Sequence, residues 1–515
     1  MQKSTYRWLV LEDVNAFFGL MLDNVTNLVM LTGILVGVFH YPEKMVFLKM
    51  IPGTALGVLF GDLVYTWMAI RLAKKTGKTD VTAMPLGLDT PSTIGIAFAV
   101  LGPVYVATGD AMLTWYVGMA TMIVIGVVKV VFSFFGGWIQ RIVPQAGLLG
   151  SLAGIGLALL AFLPLLDVFK MPVVGLASLG IIIYTVVANN KFPGNIPAVL
   201  AAVVVGTIIY YILGPLHLLG VPFKSPEMAL HVTFPLPTLG FWNGMKAAIP
   251  YIPIAIPFGI LTIVGGINVT ESARVAGDDY NTRDILLTEA VATLIAGLFG
   301  GVAQSTPYIG HPAYKEMGGR AGYTFLTGLF IGIGGILGYI SFIVDLLPVA
   351  AVAPILIFIG LVIITQAFQV CPDRHAPAVG FAFLPIVADL VLIEMGSLLG
   401  VLGGDLSKLP PDLASTYQVV MVLGHGFILT GMLWGAIMAL VIDHKLNEAI
   451  AYLMVTAGLT FFGVIHSVMP NGNLYLPWLI GNSSPYLFTA AYVVFAAFLW
   501  IMKISQKEHV NALAK

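Results

Sequence analysis

Chemistry in this sequence has to come from a few polar side chains set in long apolar runs. Asp23, Asp62, Asp89, Glu271, Glu289, Asp389 and Glu394 fall within such runs. A charged side chain at mid-membrane costs about 2.5–3.5 kcal/mol on insertion scales, so each needs a partner, a proton or water. Buried carboxylates of this kind can relay protons, and Asp89, Asp23 and Glu289 are assigned to proton coupling. His311, between Gly310 and Pro312, carries an imidazole that can donate to, accept from or shuttle a proton for a solute. Gln304, Thr306 and Tyr308 add amide, hydroxyl and ring contacts; Asp89, Thr90, Asn268 and Glu271 complete the candidate substrate-binding set. Each has a structural alternative. Asp89 can cap a half-helix, Glu271 can pair with Arg274, Tyr308 can pack, and a neighbouring carbonyl can satisfy His311. No Walker A, HExxH, GxSxG or kinase motif occurs. One cysteine, Cys371, excludes a disulfide framework, and His40, His425 and His466 show no metal spacing. Neither a cofactor nor a metal is expected, and the chain reads as a carrier, not an enzyme.

The elements that hold these groups follow from composition. Of 515 residues, 58% are hydrophobic and 10% charged, against about 25% charged in soluble proteins. So few charges cannot cover a globule of this mass in water; the solvent is lipid. Lys plus Arg (24) and Asp plus Glu (25) nearly cancel, which leaves no basic surplus for nucleic acid. A membrane-spanning helix takes about 20 apolar residues. Spans are expected near 15–39, 50–71, 83–101, 112–134, 142–163, 172–188 and 195–214. After a Pro-rich stretch, 215–246, a second set follows near 249–273, 284–303, 307–317, 322–345, 348–370, 376–398 and 418–442. Apolar segments near 449–469 and 486–503 add about two more. With the amino terminus inside, 17 of the 24 Lys and Arg residues fall on the cytoplasmic side, which places both termini there. The first hydrophobic span has no cleavable signal before it and is expected to act as its own insertion signal.

Two segments cannot be regular helices. Thr82–Phe98 carries Pro85, Gly87, Pro91 and Gly95; Ala303–Gly322 carries Pro307, Gly310 and Pro312. Proline removes a backbone donor and clashes with the preceding turn, and unwound backbone at membrane depth survives where it is buried in protein or lines a cavity. Thr90-Pro91-Ser92-Thr93-Ile94-Gly95 parallels Thr306-Pro307-Tyr308-Ile309-Gly310 with a one-residue slip. One segment is third in the first set of seven spans and the other third in the second. Seven spans per repeat inverts the second copy, and paired interrupted segments point to a transporter's binding site. Their unpaired backbone groups are expected to be satisfied by the ligand, with Asp89 on one side and Gln304, Thr306 and His311 on the other.

The stretch Gly266–Gly277 (GINVTESARVAG), the run Ala303–Thr324 with Gly318-Gly319-Arg320, Pro85-Leu86-Gly87-Leu88-Asp89, and Asp13–Gly19 with Asp23-Asn24 together resemble the nucleobase–ascorbate transporter and xanthine/uracil permease family. The likeness is nearest to its hypoxanthine/adenine/guanine permease branch, and the chain looks like a divergent member. The resemblance covers most of residues 10–445 by span order. It implies an all-α polytopic membrane protein, a 7+7 inverted-repeat transporter with two broken spans, a homodimer, and elevator-like alternating access. It implies a core domain at 1–134 and 247–345, a gate domain at 135–246 and 346–445, and additional spans and tail at 446–515. The family grips its base with a carboxylate in the eighth span and a Glu or Gln in the tenth. Here those positions fall near Val264 to Ile267 and at Gly310, and neither is acidic.

The expectation is therefore a permease of the plasma or inner membrane for a purine or related nucleobase, driven by proton symport, with sodium as the other coupling ion. The alternative keeps the fold and changes the cargo to an inorganic or organic anion. Facing half-helix N-termini favour an anion, and the missing base-gripping carboxylates remove an obstacle to one.

Overall fold

The computed structural model describes the chain except residues 1–5, 136–143, 189, 191, 194–197, 227–229, 231, 309, 402–408, 471, 473, 482 and 514–515. Helices follow in the order α1 (Asp13–Thr32), α2 (Ile51–Thr76), α3 (Thr90–Ile96), α4 (Ala111–Ser133), α5 (Gln145–Ile155), α6 (Pro172–Ile182) and α7 (Ala198–Leu213). The second set is α8 (Ile252–Val275), α9 (Thr282–Leu298), α10 (His311–Glu316), α11 (Gly322–Leu337), α12 (Val349–Val370), α13 (Leu384–Val401) and α14 (Phe427–Ile442). Two more, α15 (Leu446–Phe461) and α16 (Ser484–Leu513), close the chain. Strand β1 (Leu86–Leu88) precedes α3 and strand β2 (Ser305–Pro307) precedes α10, so each set of seven has its strand and half-helix in third place. This is a 7+7 inverted-repeat membrane fold with two added helices.

Among the described residues nine helices are long and apolar enough to cross a membrane, or eleven with the two bent pairs. That is fewer than the fourteen to sixteen spans expected. The third and tenth segments spend part of their length as strand, and α6 with its continuation, α7 and α15 are short apolar helices. Span eleven bends by 91° at Gly338, and the last span of the second set bends by 72° between Pro411–Gly424 and α14.

By packing, the chain divides into Met1–Ile139 with Phe162–Phe358, and Gln140–Ala161 with Ile359–Lys515. Small residues set the close approaches in the first unit, as in membrane helices generally. Gly53, Gly57 and Gly61 recur every fourth residue of α2. A Cβ on Gly53 would lie 2.3 Å from the Gly301 nitrogen, and one on Gly57 2.8 Å from the Ala292 carbonyl oxygen. Gly61 faces the Leu86 side chain. On α11, Gly328 meets Asp62 and Gly332 meets Leu59 of α2. Helix α2 is thereby packed against α9, β1 and α11. Helix α4 closes on α9 through Gly126 against Leu294 and Gly297 against Met122, and the Trp115 indole donates to the Gly300 carbonyl, 2.8 Å.

The second unit uses the same device. Gly147 of α5 faces the backbone of Met432 and Ala436 in α14, and Ser151 donates to the Ile428 carbonyl, 2.9 Å. Tyr492 fastens α16 to α14. Its hydroxyl accepts from the Trp434 indole, 2.8 Å, and donates to His466, 2.7 Å.

Gly53→Ala should destabilise the protein by about 1–3 kcal/mol, the usual cost of overpacking. Its added methyl would meet only backbone atoms, at 2.3–2.6 Å, and backbone cannot swing aside. Gly37→Ala, which meets nothing within 4 Å, serves as the control. Thermal unfolding in detergent reads the difference; equal midpoints for both variants would contradict the packing described.

Candidate functional site

The two broken segments pair with each other. Strands β1 and β2 are antiparallel, with Leu86 opposite Pro307, Gly87 opposite Thr306 and Leu88 opposite Ser305. The ladder extends by Asp89 N–H to the Gln304 carbonyl and Tyr308 N–H to the Pro85 carbonyl, both 2.9 Å. The backbone groups expected to wait for a ligand are largely satisfied by this ribbon, because an unpaired amide in lipid costs too much to leave open. Tyr308 packs on the ribbon. A Cβ on Gly87 would lie 2.0 Å from the Tyr308 ring, and the Tyr308 hydroxyl donates to the Leu88 carbonyl, 2.9 Å. From α1, the Asn24 amide oxygen accepts from Leu88 N–H, 3.0 Å, and Asp23 neighbours the Tyr308 hydroxyl.

The structure also corrects the match between the two segments. Thr306-Pro307 lies in β2, whereas Thr90-Pro91 opens α3 and His311-Pro312 opens α10. Proline suits a first helical turn, where its missing N–H has no partner in any case. Asp89 and Gly310 are therefore the corresponding cap positions. Asp89 Oδ2 accepts from Ser92 N–H, 3.0 Å, so its capping role is real; Gly310 has no side chain to cap with. Thr90, at the start of α3, and Thr306, within β2, are both buried.

The charge that organises this place is Lys129, which the sequence reading used only to count basic residues. Its side chain is fully buried. The ammonium donates to the Ser305 carbonyl of β2 at 2.7 Å, to Gln304 Oε1 at 3.3 Å and to Thr293 Oγ1 at 3.3 Å, and pairs with Glu289 Oε2 at 3.3 Å. Gln304 spans two charges, with its oxygen toward Lys129 and its nitrogen 3.4 Å from Asp89 Oδ2. Thr262 of α8 also reaches Gln304 Oε1, at 3.5 Å. The signal for Lys129 was present: it is the one charged residue of α4. Asp62, also fully buried, lies against Gly328.

Asp89, Gln304 and Glu289 thus gather around Lys129, and two other candidates lie elsewhere. His311 is buried in a separate cluster, with Nε2 3.2 Å from the Thr82 carbonyl and 3.3 Å from Asp278 Oδ2. Asp278 also takes Thr82 N–H at 3.1 Å and the Lys315 ammonium at 2.8 Å. The Tyr280 hydroxyl donates to the Thr82 carbonyl, 2.6 Å. His311 therefore ties the start of α10 to the segments before β1 and after α8. Glu271 is half exposed and bound to Arg274, 2.8 Å, the structural alternative. The Asn268 side chain lies outside the described residues. Among the described residues, no three His, Cys, Asp or Glu side chains converge as metal ligands.

No family model matches the chain. A curated protein, the bicarbonate transporter BicA of Picosynechococcus, is 24% identical over 321 residues, covering 58% of this chain and 53% of that protein. The chain thus spans about half the length of this relative. Among solved structures, the transmembrane domain of a cyanobacterium bicarbonate transporter BicA aligns with a TM-score of 0.50 and 16% identity, over 77% of this chain and 99% of that one. SLC26A9 aligns with a TM-score of 0.50 and 10% identity, over 73% and 62%. The chain has the fold of a multi-pass membrane transporter. These findings overturn the resemblance to nucleobase–ascorbate transporters, since the proteins found similar to the chain lie outside that family. The motifs that carried that resemblance include the Gly/Pro-rich turns of the third and tenth segments, which the ribbon demands whatever the cargo. The base-gripping carboxylates, which depend on cargo, are the part that was missing.

Burial alone would raise the Asp278 carboxyl, but hydrogen bonds from His311, Lys315 and Thr82 and the charge of Lys315 outweigh it and hold it below the usual range. Stability from such a group is complete above its unfolded value of about 3.9 and is lost as pH falls through the lower folded value. Asp278→Asn should therefore lower the unfolding midpoint at neutral pH and flatten its decline below about pH 4. A variant that melts like wild type across this range would show that the cluster contributes no charge-dependent stability.

Proposed function

We propose that this chain is a secondary transporter that carries a small anion across the membrane, binding it beside the β1–β2 crossing. The observation that carries the reading is Lys129, a fully buried cation whose ammonium rests on β2 and on the Gln304 amide. A positive charge at this depth is costly unless it serves a negative partner; Glu289 is the one it has in this structure, and in this reading the anion is the other. The anion alternative is further supported by the likeness to a bicarbonate transporter. Asp89, which would repel an anion, turns its carboxylate onto the Ser92 N–H of its own helix and the Gln304 nitrogen. In this reading Lys129 supplies charge, Gln304 and Thr306 supply hydrogen bonds, and Asp89 positions Gln304 and caps α3. His311 and Glu271 take no part in binding. Both termini are placed in the cytoplasm, as the distribution of basic residues indicates.

Purified protein in liposomes, offered radiolabelled bicarbonate, chloride, nitrate, sulfate and adenine, should show saturable uptake of at least one anion and none of the base. Gln304→Leu should raise the KM for that anion by about 10- to 150-fold, the loss of a hydrogen bond to a charged group being worth about 1.5–3 kcal/mol. Saturable adenine uptake, with anion fluxes no greater than in empty liposomes, would refute the proposal.

A further inference from the structure

Lys129 meets three hydrogen-bond acceptors and one ionic partner. Ser305 O lies at 2.7 Å and Gln304 Oε1 and Thr293 Oγ1 each at 3.3 Å, which matches the three N–H donors of an ammonium, and Glu289 Oε2 lies at 3.3 Å in addition. Glu289 is the partner that can be given up. Its side chain is fully buried, and its approach to Lys129 is an ion pair additional to the three hydrogen bonds that the ammonium already makes. The groups that face it are Lys129 from α4, Tyr65 from α2, Asp89 at the start of α3 and Thr306 of β2. Gly266 of α8 faces it without a side chain, and Asp62 lies beyond Tyr65.

With both carboxylates ionised, Lys129, Glu289 and Asp89 sum to one negative charge. An anion that entered alone would raise this to two, in a place where each uncompensated charge is costly. An anion that entered with one proton on Glu289 would leave the sum at one, as before. The same proton releases Lys129 from its only ionic partner on α9 and frees its charge for the anion.

Taking the site to be an anion site, we infer that Glu289 and Lys129 form a proton-coupled switch that makes each anion travel with one proton. The proton binds a Glu289 oxygen, the Lys129–anion pair replaces the Lys129–Glu289 pair, and release of the anion restores the ion pair and expels the proton. Lys129 is thus the substrate-binding charge and Glu289 the group that makes its availability depend on protons. The arrangement needs no sodium.

The test uses the full chain in sodium-free liposomes, with radiolabelled chloride, nitrate and bicarbonate as probes. Imposed voltage and imposed pH gradients are applied separately, and internal pH is recorded with a trapped dye. Wild type should accumulate chloride or nitrate when the outside is acidic, with one proton entering per anion. Uptake of any of these monovalent anions should be insensitive to voltage, because the net transfer is neutral. Glu289→Gln should lose at least tenfold of the pH-driven accumulation, and Glu289→Asp should restore part of it. Voltage-driven anion uptake without proton entry, a requirement for sodium, or full pH-driven accumulation by Glu289→Gln would each overturn the inference while leaving the anion reading intact. Absence of uptake for every anion would overturn the reading beneath it. Should the variants fail to fold, the wild-type flux ratio and voltage dependence decide alone.

Discussion

A peptide group in the hydrocarbon layer has no water to bond to, and the rest of this structure can be traced to how two proline-broken segments meet that condition. Each lacks the donors for a helix, and each finds the missing partners in the other. Antiparallel pairing is the one an inverted repeat makes natural, since the second copy runs the opposite way through the membrane. Side chains then protect the ribbon. Asn24 pins the Leu88 amide, Tyr308 covers Gly87 and holds the Leu88 carbonyl, and Lys129 takes the Ser305 carbonyl. The glycine stripe of α2 lets the surrounding helices close around it.

Placing a lysine on that ribbon has electrostatic consequences. Its charge is matched by Glu289 and moderated by the Gln304 dipole, whose other end turns to Asp89. A buried ion pair adds little stability over an apolar replacement of similar shape, because desolvation offsets the attraction. Such a pair is better explained by what it can exchange. Here a buried carboxylate lies 3.3 Å from an ammonium whose N–H groups already have three other acceptors, an arrangement in which one proton changes which negative group the lysine serves.

Much of this was readable from residues. Span order, the inverted repeat and the two broken segments follow from apolar run lengths and from Pro85, Pro91, Pro307 and Pro312. Asp89, Gln304 and Glu289 were singled out as polar groups in apolar runs, and the structure brings them together. What spacing could not give was pairing across the chain. Lys129 and Glu289 are each isolated in sequence, so neither points to the other until α4 and α9 are packed. Thr306-Pro307 looked equivalent to Thr90-Pro91 because the letters agree, but the cap positions show that His311-Pro312 is the counterpart. His311 stood beside the break in sequence, yet the turn of α10 carries it to Asp278 and Thr82. The family was misread for a related reason: Gly/Pro patterns report a fold that carriers of several substrates share.

A direct test of the account is a pair of cryo-electron microscopy maps of the protein in lipid nanodiscs, one without and one with saturating transported anion at acidic pH. The account requires new density within hydrogen-bonding distance of the Lys129 ammonium and the Gln304 amide, with Glu289 drawn away from Lys129. Density for the anion elsewhere, with the 3.3 Å contact between Lys129 and Glu289 intact in both maps, would contradict it.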